Sequence, residues 1–159
     1  MHVEPQAEHK WLEQLVGEWV SETEASMGPG QPPMTHAGSE SVRSLTTWVL
    51  CEGLMSMPDG NTGRTIMTLG YDTAKKKFVG TFIGSMMTNL WVYEGELDAA
   101  GKVLTLDADG PSFTDPARTA KYKDAIEIVS PDHRILTSRF LGDDGQWHHF
   151  MTAHYRRKT

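Results

Sequence analysis

From residue 17 onward, apolar and polar positions alternate in short runs separated by turn residues. Period-two patterning of this kind turns one side of each run to a core and the other to water, which predicts antiparallel β-strands. The runs span Gly17 to Ser26, His36 to Val49, Leu50 to Met57, Arg64 to Tyr71, Lys77 to Gly84, Leu90 to Leu97, Lys102 to Asp109, Lys121 to Val129, Arg134 to Leu141 and Trp147 to Arg156. Between them lie Pro58-Asp59-Gly60-Asn61, Asp72-Thr73-Ala74-Lys75, Asp98-Ala99-Ala100-Gly101, Pro131-Asp132 and Gly142-Asp143-Asp144-Gly145, all rich in residues that tolerate tight turns. Two longer stretches, Gly28 to Pro33 and Gly110 to Thr119, carry prolines and read as irregular rims or lids.

One helix precedes the strands, from about Pro5 to Val16. Trp11, Leu12, Leu15 and Val16 form a single apolar stripe, Pro5 suits the first turn, and Gly17 suits the end. The remainder predicts an all-β fold: a single antiparallel up-and-down barrel of about ten strands, the helix covering residues 5–16 and the barrel 17–157. Short connections favour a meander, and closure removes edge strands that carry no guarding prolines. Gly80 and Gly84 supply the bending that a small barrel needs.

With 159 residues, of which 38% are hydrophobic, the chain suits one domain with one core. A net charge of −6 argues against a nucleic-acid partner. Lys75-Lys76-Lys77 reads as a solvated turn. The single cysteine, Cys51, allows no intrachain disulfide and fits a reducing compartment. No apolar run approaches the ~20 residues of a membrane-spanning helix, and residues 1–6 lack a signal-peptide pattern, so a cytoplasmic location is expected.

Gly17-Glu18-Trp19 after a short helix resembles the opening motif of the calycins, the superfamily of lipocalins and fatty-acid-binding proteins. The resemblance implies that Trp19 packs at the closed end of the barrel with a basic residue of the last strand across it. Arg156 or Arg157 takes that place in chain order, a cation over an indole face being a favourable plug. The whole chain is similar to a narrower group of bacterial proteins of unassigned function with a lipocalin-like barrel. The matching pieces are His9-Lys10-Trp11-Leu12, Leu15-Val16-Gly17-Glu18-Trp19, Glu52-Gly53, Thr68-Leu69-Gly70-Tyr71-Asp72, Lys77-Phe78, Tyr93-Glu94-Gly95, Asp143-Asp144-Gly145 and Tyr155-Arg156-Arg157-Lys158. That group brings no activity with it. Nitrobindin-like barrels of the same superfamily ligate haem through a histidine near the C-terminus, a part open here to His149 or His154, although the two glycines of their Gly-x-Trp-x-Gly-x-Gly opening that follow the Trp are replaced by Ser21 and Thr23.

Chemistry is sparse. The run Trp147 to Tyr155 holds three histidines, but His148 and His149 alternate in face, and His148 lies ~20 Å along the strand from His154 at ~3.3 Å per residue. The histidines therefore read as structural or surface residues, with no metal site. No nucleophile elbow or phosphate loop occurs, and Cys51 reads as a small buried hydrophobe. The Asp107/Asp109 pair reads as a solvated face. The remaining signal is soft and aromatic: nine methionines, with Met67, Phe82, Trp91, Tyr93, Tyr122, His149 and Met151 on candidate interior faces and Arg43, Asp124 and Arg139 as polar contacts. A barrel filled by its own side chains is the competing reading. The expected function is non-enzymatic binding of a small apolar or amphipathic molecule in the cavity. Alternatives are a haem-binding barrel, a hydrolase or isomerase using His149 with Tyr122 or Asp124, and a homodimer formed through an outer sheet face. No membrane partner is expected.

Overall fold

The computed structural model describes residues 2–159. A helix, α1 (Ala7–Glu13), leads into ten strands: β1 (Gly17–Ala25), β2 (Met34–Ser44), β3 (Trp48–Ser56), β4 (Thr62–Asp72), β5 (Lys77–Gly84), β6 (Trp91–Leu97), β7 (Val103–Pro111), β8 (Thr119–Ser130), β9 (His133–Leu141) and β10 (Trp147–Arg157). Each strand pairs antiparallel with its neighbours in sequence, and β1 pairs with β10, so the sheet closes into a calycin-like barrel. Full closure leaves no edge strand among the described residues.

Alternation decides what fills the interior. Trp19, Val42, Val49, Cys51, Leu69, Phe78, Leu104, Leu106 and Ile126 point inward and are buried, together with Leu12 and Leu15 from α1 and the turn after it. The helix closes one end. Its axis is short because the chain tightens after Glu13 into i→i−3 bonds, Leu15 N–H to Leu12 O (3.0 Å) and Val16 N–H to Glu13 O (3.1 Å). The helix expected over 5–16 is thus shorter at both ends. Its first turn is capped by Gln6, whose N–H donates to His9 Nδ1 at 2.9 Å. That bond leaves Nε2 of the buried His9 to donate to Tyr71 O at 3.0 Å, and Trp11 Nε1 donates to Gly101 O at 2.7 Å.

The strand expected over 36–49 is interrupted. Leu45, Thr46 and Thr47 form the β2–β3 turn, with Thr46 at φ 73°. Ser44 Oγ accepts from Thr46 N–H at 3.0 Å, and Leu45 N–H donates to Trp48 O at 2.8 Å. A serine side chain does here what glycine or asparagine does in a more legible turn.

A second irregularity matters more for function. The β9–β10 register shifts between His149 and Met151, leaving Phe150 as the extra residue of a bulge. A bulge reverses which face the following residues take. His149 stays opposite outward-facing Arg139, and Met151 pairs with inward-facing Ser138.

Candidate functional site: a cavity with a charged floor

Inside the barrel is a partly enclosed cavity of about 90 Å³. Its walls are apolar, with Met67, Phe82, Ile126, Leu136 and Met151 among them. Its floor is charged. Arg134 Nη2 donates to Glu40 Oε1, and both side chains are almost wholly buried, at 5% and 12% exposure. The Arg134 guanidinium also stacks on Tyr155, 4.0 Å from the ring centre, and on Trp19, at 4.7 Å. Its Nε is buried with no hydrogen-bond partner among the described residues. Such an orphaned donor costs about 1–3 kcal/mol unless something accepts from it.

Nearby groups are kept uncharged. Burial pushes the Cys51 thiol and the Tyr155 hydroxyl well above their ordinary ranges, and the Glu40 carboxylate adds to both shifts. A second polar cluster crosses the barrel interior: Tyr93 Oη donates to Asp124 Oδ2 at 2.6 Å, and Ser138 stands opposite Asp124 in the β8–β9 register. Burial raises the Asp124 carboxyl above its usual range, and hydrogen bonding from Tyr93 pulls it partly back.

The mouth above the cavity is aromatic. Phe113, on the β7–β8 loop, sits edge-on to Tyr122, Phe140 and Phe150 at ring distances of 5.7, 5.3 and 5.0 Å. Trp91 meets Tyr122 edge-on at 4.8 Å, and Tyr122 Oη donates to Pro111 O. Phe113 is 61% exposed, so it covers this aromatic cluster from the solvent side.

The structure thus places Met67, Phe82, Trp91, Tyr93, Tyr122, Asp124 and Met151 on inward faces, from the cavity wall up to the mouth. Three expected cavity residues are corrected. Arg43 faces outward and is exposed, paired with Glu52 on the outer sheet surface. Arg139 is outward and exposed on β9. His149 lies outside because the bulge follows it, and it bonds Thr152 (2.7 Å). In the plug, Arg157 lies over Trp19 at 4.2 Å, whereas Arg156 points outward and is exposed. The residues that sequence reasoning passed over are Arg134 and Glu40. The signal was partly available: Glu40 stands in phase with Val42 and Arg134 with Leu136, and a charge on such a face is held in place only by a partner.

One of the alternatives loses its geometry. His149, Tyr122 and Asp124 do not converge, being outside the barrel, at the mouth and deep in the interior respectively. Of the two histidines open to a haem, His154 stacks on His133 with its Nδ1 3.0 Å from His133 Nε2, and neither it nor His149 lines the interior cavity. Among the described residues no three His, Cys, Asp or Glu side chains converge to hold a metal ion, and no helix is long and apolar enough to cross a membrane.

Residues 4–157 match the family described as "Protein of unknown function (DUF1579)". No curated protein matches the chain. The fold is similar to that of Rv2717c from M. tuberculosis, with 12% identity, a TM-score of 0.63 and coverage of 98% of this chain and 100% of that one. It is also similar to the S-type phycobiliprotein lyase CPES from Guillardia theta, with 13% identity, a TM-score of 0.58 and coverage of 98% and 99%. A third similar structure, EF1p2_mFAP2b bound to DFHBI, has 14% identity, a TM-score of 0.51 and coverage of 96% and 100%.

Proposed function

The chain belongs to the DUF1579 family, and from that premise we propose that it is a non-enzymatic binder of one small, partly apolar, uncharged molecule. The observation that carries this is the partly enclosed apolar cavity ending on a compensated ion pair whose Arg134 Nε has no acceptor among the described residues. A neutral polar group on the ligand satisfies that donor. A carboxylate does not suit the floor: Glu40 already neutralises Arg134, and displacing it would strand a buried charge at a cost of about 3–5 kcal/mol. Ligands larger than the cavity enter by movement of Phe113 and repacking of Met67 and Met151, whose unbranched side chains adapt to irregular shapes. That one similar barrel is bound to DFHBI supports the reading at the level of fold. The expected setting is the cytoplasm, which the single buried thiol suits.

Titration with 1-aminoanthracene, an uncharged fluorophore that brightens in apolar surroundings, tests the proposal. One saturable site per chain is expected, abolished by Leu136→Trp, which fills the cavity. No enhancement, or enhancement that survives Leu136→Trp, overturns it.

A second reading, self-association through an outer face, has its own support. Ile66 and Ile83 are direct cross-strand partners on the outside of β4 and β5, and Val92 follows on β6; they are 37%, 46% and 58% exposed. Adjacent exposed aliphatic side chains on one face often mark a contact. Light scattering decides: a mass of one chain at micromolar concentration rules the dimer out.

A further inference from the structure

The end of β3, the β3–β4 loop and the β5–β6 loop bring three methionine side chains together at the barrel rim. In the register, Met55 stands opposite Gly63, and Gly84 stands opposite Thr65, so the chain beyond Gly84 carries Met86 to the other flank of Gly63. Because Gly63 has no side chain, its neighbours close over it. A methyl group built on Gly63 would sit 2.9 Å from Met55 Cγ, 3.0 Å from Met57 Sδ and 3.1 Å from Met86 Cε. Three methionine side chains therefore meet around one point, Met55 from β3, Met57 from the β3–β4 loop and Met86 from the β5–β6 loop.

Both loops are pinned. Met57 N–H donates to Asn61 O (2.9 Å) and Gly60 N–H to Met57 O (3.0 Å). Ser85 exchanges bonds with the Arg64 backbone, through N–H to Arg64 O (2.8 Å) and Oγ from Arg64 N–H (2.9 Å). A nitrogen donor stands alongside. Extending the β2–β3 register from Gly38 and Met55 by two residues places His36 across from Met57, and His36 Nδ1 lies 3.2 Å from Ser56 O. With Nδ1–H donating to that carbonyl, Nε2 keeps its lone pair. Metal-binding histidines are commonly oriented in this way. Met87 is a bystander, its sulfur accepting from Trp91 Nε1 at 3.1 Å.

We propose that Met55, Met57 and Met86, with His36 beside them, form a binding site for a soft monovalent cation, Cu(I). Thioethers are neutral, polarizable donors that favour Cu(I) over Zn²⁺, Mg²⁺ or Ca²⁺, which prefer harder or anionic ligands. The site adjoins the ligand cavity and shares with it Met55 alone.

The test is competition for Cu(I), under anaerobic conditions, between the protein and the colorimetric chelator bicinchoninate. Wild type should withdraw one equivalent. Met57→Leu and Met86→Leu keep volume and apolarity, so the barrel survives them, and each should weaken Cu(I) binding at least ~10-fold. Cys51→Ala and Met67→Leu should leave it unchanged. The proposal fails if wild type takes no Cu(I) from the chelator, if the Met57→Leu/Met86→Leu double variant binds as wild type does, or if Cys51→Ala alone removes binding. Because no fluorophore is involved, a negative 1-aminoanthracene titration leaves this result standing, and the reverse also holds.

Discussion

The two ends of this barrel are built from opposite materials. At the closed end the polar groups around Trp19 are held by fixed partners, Arg134 Nε alone excepted. Arg157 lies over Trp19 and gives its guanidinium hydrogens to Val16 O, Gln14 O and Pro131 O at 2.7, 2.7 and 2.8 Å. Trp19 Nε1 donates to Leu15 O at 2.9 Å. Planar, charged groups in bidentate arrays lock one geometry. The open end relies on methionine thioethers and on phenylalanines meeting edge to edge, contacts that rearrange at little cost. Stability is concentrated where the chain is pinned, and recognition where it can adapt.

Substitutions at the two ends should therefore separate these properties. Trp19→Ala removes a buried indole and the surface on which Arg134 and Arg157 rest. It should cost about 3–5 kcal/mol and lower the melting temperature markedly in calorimetry; an unchanged value would show that the closed end does not bear the fold. Glu40→Leu leaves the Arg134 charge buried and unpaired, and should cost a similar ~3–5 kcal/mol. The Glu40→Leu/Arg134→Met double variant should recover most of that in urea denaturation while losing the orienting contact for a ligand. Arg157→Lys keeps the charge but not the fork, and should cost about 1–2 kcal/mol.

Smaller effects are expected from the interior and the mouth. The raised Asp124 carboxyl binds its proton more tightly folded than unfolded. Its ionisation therefore costs stability once pH rises above the unfolded value near 4, and costs nothing below it. Asp124→Asn should be more stable than wild type at pH 7, by no more than about 1 kcal/mol, and the difference should shrink as pH falls toward 4. Denaturation at several pH values checks the slope; a difference that grows on acidification contradicts it. Phe113→Ala should change stability by less than about 0.5 kcal/mol yet speed 1-aminoanthracene entry in stopped-flow, since the proposed route of entry requires Phe113 to move.

The barrel was legible because alternation and turn chemistry agreed along nearly the whole chain. The β2–β3 turn was hidden because Ser44 and Thr46 achieve a tight reversal without glycine or proline. The site was only partly legible. Residues on inward faces such as Met67 and Tyr93 follow from period two, but one extra residue at Phe150 moves His149 outside, and no periodicity reveals a bulge. Arg43 and Arg139 looked like polar contacts because charge alone does not give a face. Arg134 and Glu40 are 94 residues apart, and their pairing appears only when the sheet closes.

The bond from Arg157 to Val16 spans 141 residues of chain. A ribosome delivers the segment from Trp19 to the start of β10 before the strand that completes the cylinder. Until then β1 has one bonded neighbour, β9 lacks its outer one, and the Trp19 pocket stands open to water. The nascent protein is thus an open curved sheet with two adhesive margins, and its hazard lies in that interval rather than in the finished fold. The long-range clasp that makes the barrel durable also makes its birth late.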